Sequence, residues 1–399
     1  MSGAKNSALK LMVAALLAEG RSTLRGVPDI TDVRWMADVL IALGVTIERP
    51  APDVLVIDVP AVLTPDAPYE LVERMRASTI LLGALLARCG EARVAMPGGD
   101  DFGVRPIDLH LEGLGALGAS FELEHGTIVG SAAKLRGARV VLEYPSVGAT
   151  ENLLLAATRA AGTTVIDNAA REPEIADLAA FVTQMGARVI GAGTSTITIE
   201  GVDELRPADH QVIPDRIEAA TYLCALGAAG GELLLRGARH DHLTMLATKL
   251  GECGMRVSPD PAGVWAMASR PLRAVSSASL PYPGIATDVL PMLVAMLATA
   301  EGTSYATENL YQGRFRYLGE LTRMGADLRV EGHHVAVRGV PRLSAAPVRA
   351  FDIRAGAALV VAALGADGAT TILGADHLAR GYDHLIDKFV GIGADISPA

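Results

Sequence analysis

Six times along this chain an apolar run with helical spacing ends at a glycine and gives way to a short alternating run. The junctions are Leu43-Gly44-Val45-Thr46-Ile47, Leu117-Gly118-Ala119-Ser120-Phe121, Met185-Gly186-Ala187-Arg188-Val189, Cys253-Gly254-Met255-Arg256-Val257, Met324-Gly325-Ala326-Asp327-Leu328 and Ile392-Gly393-Ala394-Asp395-Ile396. A second series, Gly20, Gly90, Gly162, Gly231, Gly302 and Gly368, interleaves with the first. Both recur about every 70 residues, which marks an internal repeat. Glycine just past a helix accepts the left-handed backbone that ends it. Each unit therefore reads helix, glycine, strand, helix, glycine, strand, then a further strand or two. In the first unit the spacing predicts helices over 6–17 and 32–43. It predicts a strand entering a turn over 23–27 and an alternating strand over 54–59.

Six such units suit an α/β architecture of two domains with three repeats each, sheets outside and helices packed within. The predicted boundary divides 5–212 from 213–399, with a hinge near 211–214 where Pro207, Pro214 and polar residues interrupt the periodicity. Composition narrows the class. Of 399 residues half are hydrophobic and 20% charged, which excludes disorder. Apolar runs such as 153–161 and 289–300 fall short of the roughly 18–20 residues of a membrane span. The opening residues lack the order of a signal peptide. A net charge of −10 with dispersed Lys and Arg argues against a nucleic-acid groove. Cys89, Cys224 and Cys253 show no C-x-x-C spacing, which argues against a disulfide scaffold or zinc site. A cytoplasmic globular protein is expected, with no membrane or nucleic-acid partner.

Candidate chemistry follows the repeat. Lys5-Asn6, Arg76, Thr150, Arg216, Asp288 and Arg354 precede or open the first predicted helix of their units. Arg105, Arg171, Arg314 and Arg380 open the second. Helix N-termini present free N–H groups and partial positive charge, so several converging ends with added cations make an anion site. Acids, not bases, favour the first helical turn, so a recurring basic residue points to a ligand rather than to capping. A small, doubly anionic substrate fits. Other features read blandly: His333-His334 as a turn, Gly98-Gly99 as too short for a dinucleotide fingerprint, and Met245 and Met292 as core. The run 308–313 has the letters of a tag-removal protease site, but its place within a unit reads as native loop.

A threefold α/β repeat occurring twice resembles the enolpyruvyl transferases, whose fold is a two-domain inverse α/β barrel. Ordered motifs carry the resemblance over nearly the whole chain. They are Ser2-Gly3-Ala4-Lys5-Asn6, Arg74-Met75-Arg76-Ala77-Ser78, Pro97-Gly98-Gly99-Asp100, Gly103-Val104-Arg105-Pro106-Ile107-Asp108-Leu109-His110 and Ser146-Val147-Gly148-Ala149-Thr150. Asn168-Ala169-Ala170-Arg171-Glu172-Pro173, Thr287-Asp288, Arg314-Phe315, Asp352-Ile353-Arg354-Ala355 and Arg380-Gly381-Tyr382 complete the set. They look more like the branch acting on UDP-N-acetylglucosamine than the shikimate-3-phosphate branch.

The resemblance implies transfer of the enolpyruvyl group of phosphoenolpyruvate to the 3′-hydroxyl of that sugar nucleotide. Phosphate is released, in a first committed step of peptidoglycan precursor synthesis. By the same resemblance Lys5, Arg76, Arg105 and Arg380 contact phosphoenolpyruvate, with Arg354 nearby, and Lys5 and Arg380 belong to the catalytic set. Asp288 is the hydroxyl base and Asn6 orients the acceptor. Arg105, Pro106, Ile107, Asp108 and Leu109 frame the uracil and phosphates with Ser146, Val147 and Gly148. Leu310, Arg314 and Asp352 are further substrate contacts. No metal or cofactor is called for, and the substrates bind between the domains under a mobile lid.

Three departures keep the acceptor open. The lid carries Asp101-Phe102 where the family has a small residue and Ile. Leu378-Ala379-Arg380 replaces Ile-Asp-Arg. The chain begins at the Lys-Asn motif, so a second-domain sheet is expected to lack its N-terminal strand and to have an uncovered edge. Transfer to another nucleotide, such as the 3′-hydroxyl of UMP in nucleoside-antibiotic biosynthesis, is one alternative. A catalytically silent nucleotide-binding paralog is another. Asp100 stands where most of the family has a lid cysteine, a pattern shared with an active Asp-bearing branch. A desolvated carboxyl there can serve as general acid. Carboxylates attack epoxides far more weakly than thiolates do. The wild-type protein is therefore expected to resist alkylation by the epoxide fosfomycin, and Asp100→Cys to form an adduct at that position. Intact-protein mass spectrometry checks both; an inactivating adduct on the wild type would remove Asp100 from the lid.

Overall fold

The structure, a computed structural model, describes residues 1–99 and 106–398. These form two compact units, one of 3–99 and 106–213, the other of 1–2 and 214–398. Three buried helices make the centre of each. In the first unit they are α1 (Lys5–Ala14), α2 (Leu81–Cys89) and α3 (Val147–Ala157). In the second they are α4 (Arg216–Ala229), α5 (Leu290–Leu297) and α6 (Ile353–Leu364). Their sequences explain the burial. α5 has no polar residue at all, and a helix without a polar face must be enclosed; α3 buries even Thr150, Glu151 and Asn152.

The sheets follow one plan. In the first unit Gly20–Arg25 pairs antiparallel with Val54–Val59, which pairs with Thr46–Ala51. Glu91–Ala95 and Thr163–Asp167 head the same arrangement in the next two sheets. A short parallel edge strand completes each sheet: Asp66–Ala67 on Glu91–Ala95 and Arg139–Val141 on Thr163–Asp167. Asp209–Gln211 returns to Gly20–Arg25, which closes the ring on its first sheet. The second unit repeats the plan with Ser277–Ala278, Thr303–Thr307, His334–Arg338 and Asp327–Glu331. Its sheet around Gly231–Arg236 has three strands, and none among the described residues lies beyond that edge.

All twelve glycines of the two sequence series have positive φ, from 76° at Gly90 to 116° at Gly231. Gly90 is itself the left-handed cap of α2. The helix predicted over 6–17 is α1 followed by a 3-10 turn, Ala15–Leu17, and that over 32–43 is Thr31–Ala42. Three placements differ from the sequence reading. Thr150 lies inside α3 rather than at its start, and its hydroxyl accepts the Ala170 N–H at 3.0 Å. Arg380 follows the short helix Asp376–Ala379, where its own N–H is spent on the His377 carbonyl, so it stands at a helix end and no N-terminal dipole serves it. Met245 is 39% exposed, because Leu246 and Leu250 take the inward positions of the helix Thr244–Glu252; Met292 is fully buried. No helix among the described residues is long and apolar enough to cross a membrane.

Close helix crossings depend on small residues. Gly83 of α2 donates its N–H to Asn152 Oδ1 of α3 at 2.7 Å, and a Cβ on Gly83 would overlap the Asn152 main-chain oxygen. Alanine would gain about 1 kcal/mol of helix propensity. That gain is outweighed, because backbone cannot yield as a flexible side chain does, and overpacking costs about 1–3 kcal/mol before the hydrogen bond is lost. Gly83→Ala should therefore lower the unfolding free energy by about 2 kcal/mol. Urea denaturation reads it directly, and a stabilised variant would mean that the helices are not held at this crossing.

Candidate functional site

The second unit holds a charged cluster at the start of two of its buried helices. Asp288 precedes α5, and Arg354 is the second residue of α6. Arg354 Nε donates to Asp288 Oδ2 at 2.9 Å, and Arg314 Nη2 donates to Oδ1 at 2.7 Å, so each carboxylate oxygen has its own guanidinium. Both arginines are buried, whereas the Asp288 side chain is 24% exposed. Burial by itself would raise the Asp288 carboxyl, but the Arg354 and Arg314 charges outweigh it and hold the group well below the usual carboxylate range. The same attraction overcomes burial at Arg354 and raises it. Such a carboxylate is reliably anionic and, while both arginines hold it, a weak base.

Several expected contacts take structural duties. Asp352 is the N-cap of α6, its Oδ1 accepting the N–H groups of Arg354 at 2.8 Å and Ala355 at 2.9 Å. This fixes the backbone of Arg354 and commits one oxygen of Asp352 to the helix terminus. Arg354 also lies 5.5 Å over the Tyr382 ring, whose hydroxyl meets Thr221 at 2.8 Å. Arg380 is half-buried, two residues before Tyr382. The Leu310 N–H donates to Glu308 Oε1 at 2.8 Å, and Leu310 is half-buried.

The first unit carries the other group of candidates. Lys5 opens α1 and its Nζ is 2.6 Å from Asp32, so the ammonium already has a carboxylate partner. Asn6 is half-buried beside it. Arg76 opens the 3-10 segment Arg76–Ile80, and its Nη2 donates to the Pro106 carbonyl at 2.9 Å. Pro106 leads through Ile107 into the helix Asp108–Ala116, on which Asp108 is exposed and Leu109 half-buried. Ser146 caps α3, accepting the Ala149 N–H at 3.3 Å, with Val147 and Gly148 in its first turn. The structure thus brings Arg76 to the 106–109 segment. Asp100 and Arg105 lie outside the described residues. Among the described residues no group of three His, Cys, Asp or Glu is placed to hold a metal ion.

Two residues had no role in the sequence reading. His110, one residue beyond the 105–109 motif, is buried and joins that motif to the 146–148 segment. A Cβ on Gly148 would lie 2.8 Å from its Cε1, and its Nδ1 is 2.8 Å from Asn152 Nδ2. Asn152 gives its other N–H to the Thr79 carbonyl at 3.0 Å, so Nδ1 of His110 accepts and the imidazole is neutral with its proton on Nε2. The second is Glu308, 1% exposed at the end of a strand. Its signal was in the alternation: Ser304, Ala306 and Glu308 occupy successive inward positions.

Burial, reinforced by the Arg76 and Lys10 charges, pushes the His110 imidazole down to about 4. The unfolded chain takes up this proton near pH 6.5 and the native state only near 4. Native stability is therefore lost as pH falls through that window, by about 2 kcal/mol between pH 7 and 5. His110→Asn keeps an acceptor for Asn152 and should remove that share of the acid sensitivity. Urea unfolding at the two pH values measures it; an unchanged pH dependence would count against a buried neutral imidazole.

Comparison with known proteins places the chain in a family. Residues 1–389 match the family described as EPSP synthase (3-phosphoshikimate 1-carboxyvinyltransferase). The chain is 50% identical over 398 residues to a UDP-N-acetylglucosamine 1-carboxyvinyltransferase of Nocardia farcinica, covering 98% of this chain and 93% of the relative. A protein of that name from Trichlorobacter lovleyi is 47% identical over 397 residues, covering 99% and 94%. Among solved structures, the enolpyruvyl transferase NikO from Streptomyces tendae matches with a TM-score of 0.88 at 29% identity, over 99% of this chain and 94% of that one. An EPSP synthase from Acinetobacter baumannii shares the fold with a TM-score of 0.76 at 21% identity, over 100% and 96%. The chain belongs to the EPSP synthase family of carboxyvinyltransferases.

Proposed function

We propose that this protein transfers the enolpyruvyl group of phosphoenolpyruvate to the 3′-hydroxyl of UDP-N-acetylglucosamine, with release of phosphate. The observation that carries this reading is full-length identity of 50% to a relative named for that reaction, against 29% to NikO. Its substrates are phosphorylated metabolites of the cell interior, which supports a cytoplasmic site.

The reaction adds the acceptor oxygen to C2 of phosphoenolpyruvate as C3 gains a proton. It then expels phosphate from C2 as C3 returns a proton, and the enol ether remains. Lys5, Arg76 and Arg380 supply cations for phosphate and carboxylate, and Arg105 joins them by family resemblance. Asp100 serves as the acid at C3, also by resemblance. Asn6 orients the sugar, and the 106–109 and 146–148 segments, held together through His110, frame the uridine end. Asp288 takes the hydroxyl proton. While Arg314 and Arg354 share its charge it is too weakly basic for that role. An anionic substrate that draws Arg354 toward its own charge weakens that hold and raises the basicity of Asp288 when it is needed. Substrate binding and base activation are then one event.

Phosphate release is the direct test. With phosphoenolpyruvate present, turnover is expected with UDP-N-acetylglucosamine and not with shikimate 3-phosphate. Turnover with UMP in preference to the sugar nucleotide would move the acceptor to a bare nucleotide, and binding without turnover would indicate a silent paralog. Asp288→Asn keeps an acceptor oxygen for one of the two arginines and removes the base. It should lower kcat by about 10²–10⁴-fold without raising the KM for phosphoenolpyruvate. Near wild-type turnover in that variant would exclude Asp288 as the base.

A further inference from the structure

Glu308 is a buried carboxylate with donors on every side and no assigned role. Its Oε1 accepts the Ser279 hydroxyl at 2.8 Å and the main-chain N–H groups of Leu310 at 2.8 Å and Tyr311 at 3.3 Å. Its Oε2 accepts the Thr287 hydroxyl at 2.7 Å. Thr287 has thereby spent its only proton and can only accept from Arg314, whose Nη1 lies 2.6 Å away. Arg314 turns its other nitrogen, Nη2, to Asp288. Ser279 is pinned in turn, accepting the Asn309 N–H at 2.8 Å while its carbonyl accepts the Asn309 side-chain amide at 2.9 Å.

We infer that Glu308 is a positioning residue that serves both halves of the second-unit site. Through Thr287 and Arg314 it fixes the Asp288 carboxylate, and through its own Oε1 it seats the backbone of Leu310. The inference rests on the proposed enolpyruvyl transfer for its kinetic arm only. The two oxygens divide the work, so a glutamine divides the consequences. The amide has one acceptor. Three donors converge on the Oε1 position and one on the Oε2 position, so the glutamine oxygen settles at the former and its NH2 faces Thr287. Thr287 then receives N–H groups from both the glutamine and Arg314 while its own proton has no acceptor. Arg314 loses its fixed direction, and Asp288 loses a partner on one oxygen.

The expected pattern is a split. Glu308→Gln lowers kcat at least about tenfold and leaves the KM of the acceptor nearly unchanged, since Leu310 stays seated. Thr287→Val breaks the same link from the other side, with a similar loss in kcat. The double variant is no worse than the poorer single one, because both act through one chain of contacts. Glu308→Ala removes both acceptors and raises the acceptor KM as well. A Glu308→Gln enzyme with wild-type kcat overturns the inference, and so do losses that multiply in the double variant. Amide hydrogen exchange gives an arm independent of substrate. Leu310 and Tyr311 should stay protected in Glu308→Gln and exchange faster in Glu308→Ala. Unchanged protection in the alanine variant also overturns the inference. A wild-type enzyme that releases no phosphate speaks instead against the proposed reaction, and the exchange measurement then decides on Glu308.

Discussion

Enclosing a helix on all sides is the constraint from which the rest of this structure follows. Each unit buries three helices among sheets, so the enclosed polar groups on those helices need partners within the protein. Three of their N-termini are closed by side chains: Ser146 on α3, Asp215 on α4 through the N–H groups of Ile217 and Glu218, and Asp352 on α6. Their crossings use glycine, as at Gly83 against Asn152 and at Gly227 against Met296. Several charged residues on them have a counter-charge inside their own unit. Lys5 meets Asp32, Lys10 meets Glu151 at 2.7 Å, and Arg354 meets Asp288.

The same constraint builds the candidate site. A helix N-terminus concentrates N–H groups, and a basic side chain placed there adds charge to an end already partly positive. That charge is met inside the unit by an anion, Asp288, which pairs with both Arg314 and Arg354. The cost is a carboxylate of low basicity; the gain is that two buried guanidiniums are held at fixed positions. An incoming phosphate or carboxylate can exchange with the internal partner rather than create an interaction from nothing. Buried ion pairs contribute little net stability, so this arrangement is better understood as stored geometry than as a fold-stabilising contact.

His110 and Glu308 show a second layer of the same logic. Neither belongs to the residues that the family resemblance puts on substrate, yet each joins segments that do. His110 links the start of the 108–116 helix to α3 through Asn152 and Gly148. Glu308 links the loop before α5 to the loop carrying Leu310 and Arg314. Both are buried polar groups whose hydrogen-bond partners are specified one by one, and such networks fix a unique arrangement because any alternative leaves a donor or acceptor unmet.

What the sequence determined by itself was local and periodic. A glycine that must adopt positive φ leaves its mark whatever surrounds it, so the two interleaved series located helix ends and strand starts directly. Motif order carried the family, because residues such as Lys5-Asn6 and Thr287-Asp288 are adjacent in the chain. Tertiary structure decided everything that depends on which groups meet from afar. That Asp352 also caps its own helix, through the N–H groups of Arg354 and Ala355, was set by the folded backbone. Arg380 looked like a helix opener because a four-residue helix carries no readable period. Met245 looked like core because one step around a helix, about 100°, separates an inward side chain from an outward one. Glu308 showed only as one more inward position of a strand, and Asp288 gave no sign of its two arginines, which lie 26 and 66 residues away in the chain. Sequence spacing records covalent distance; charge pairing and burial are set by the distances that folding creates.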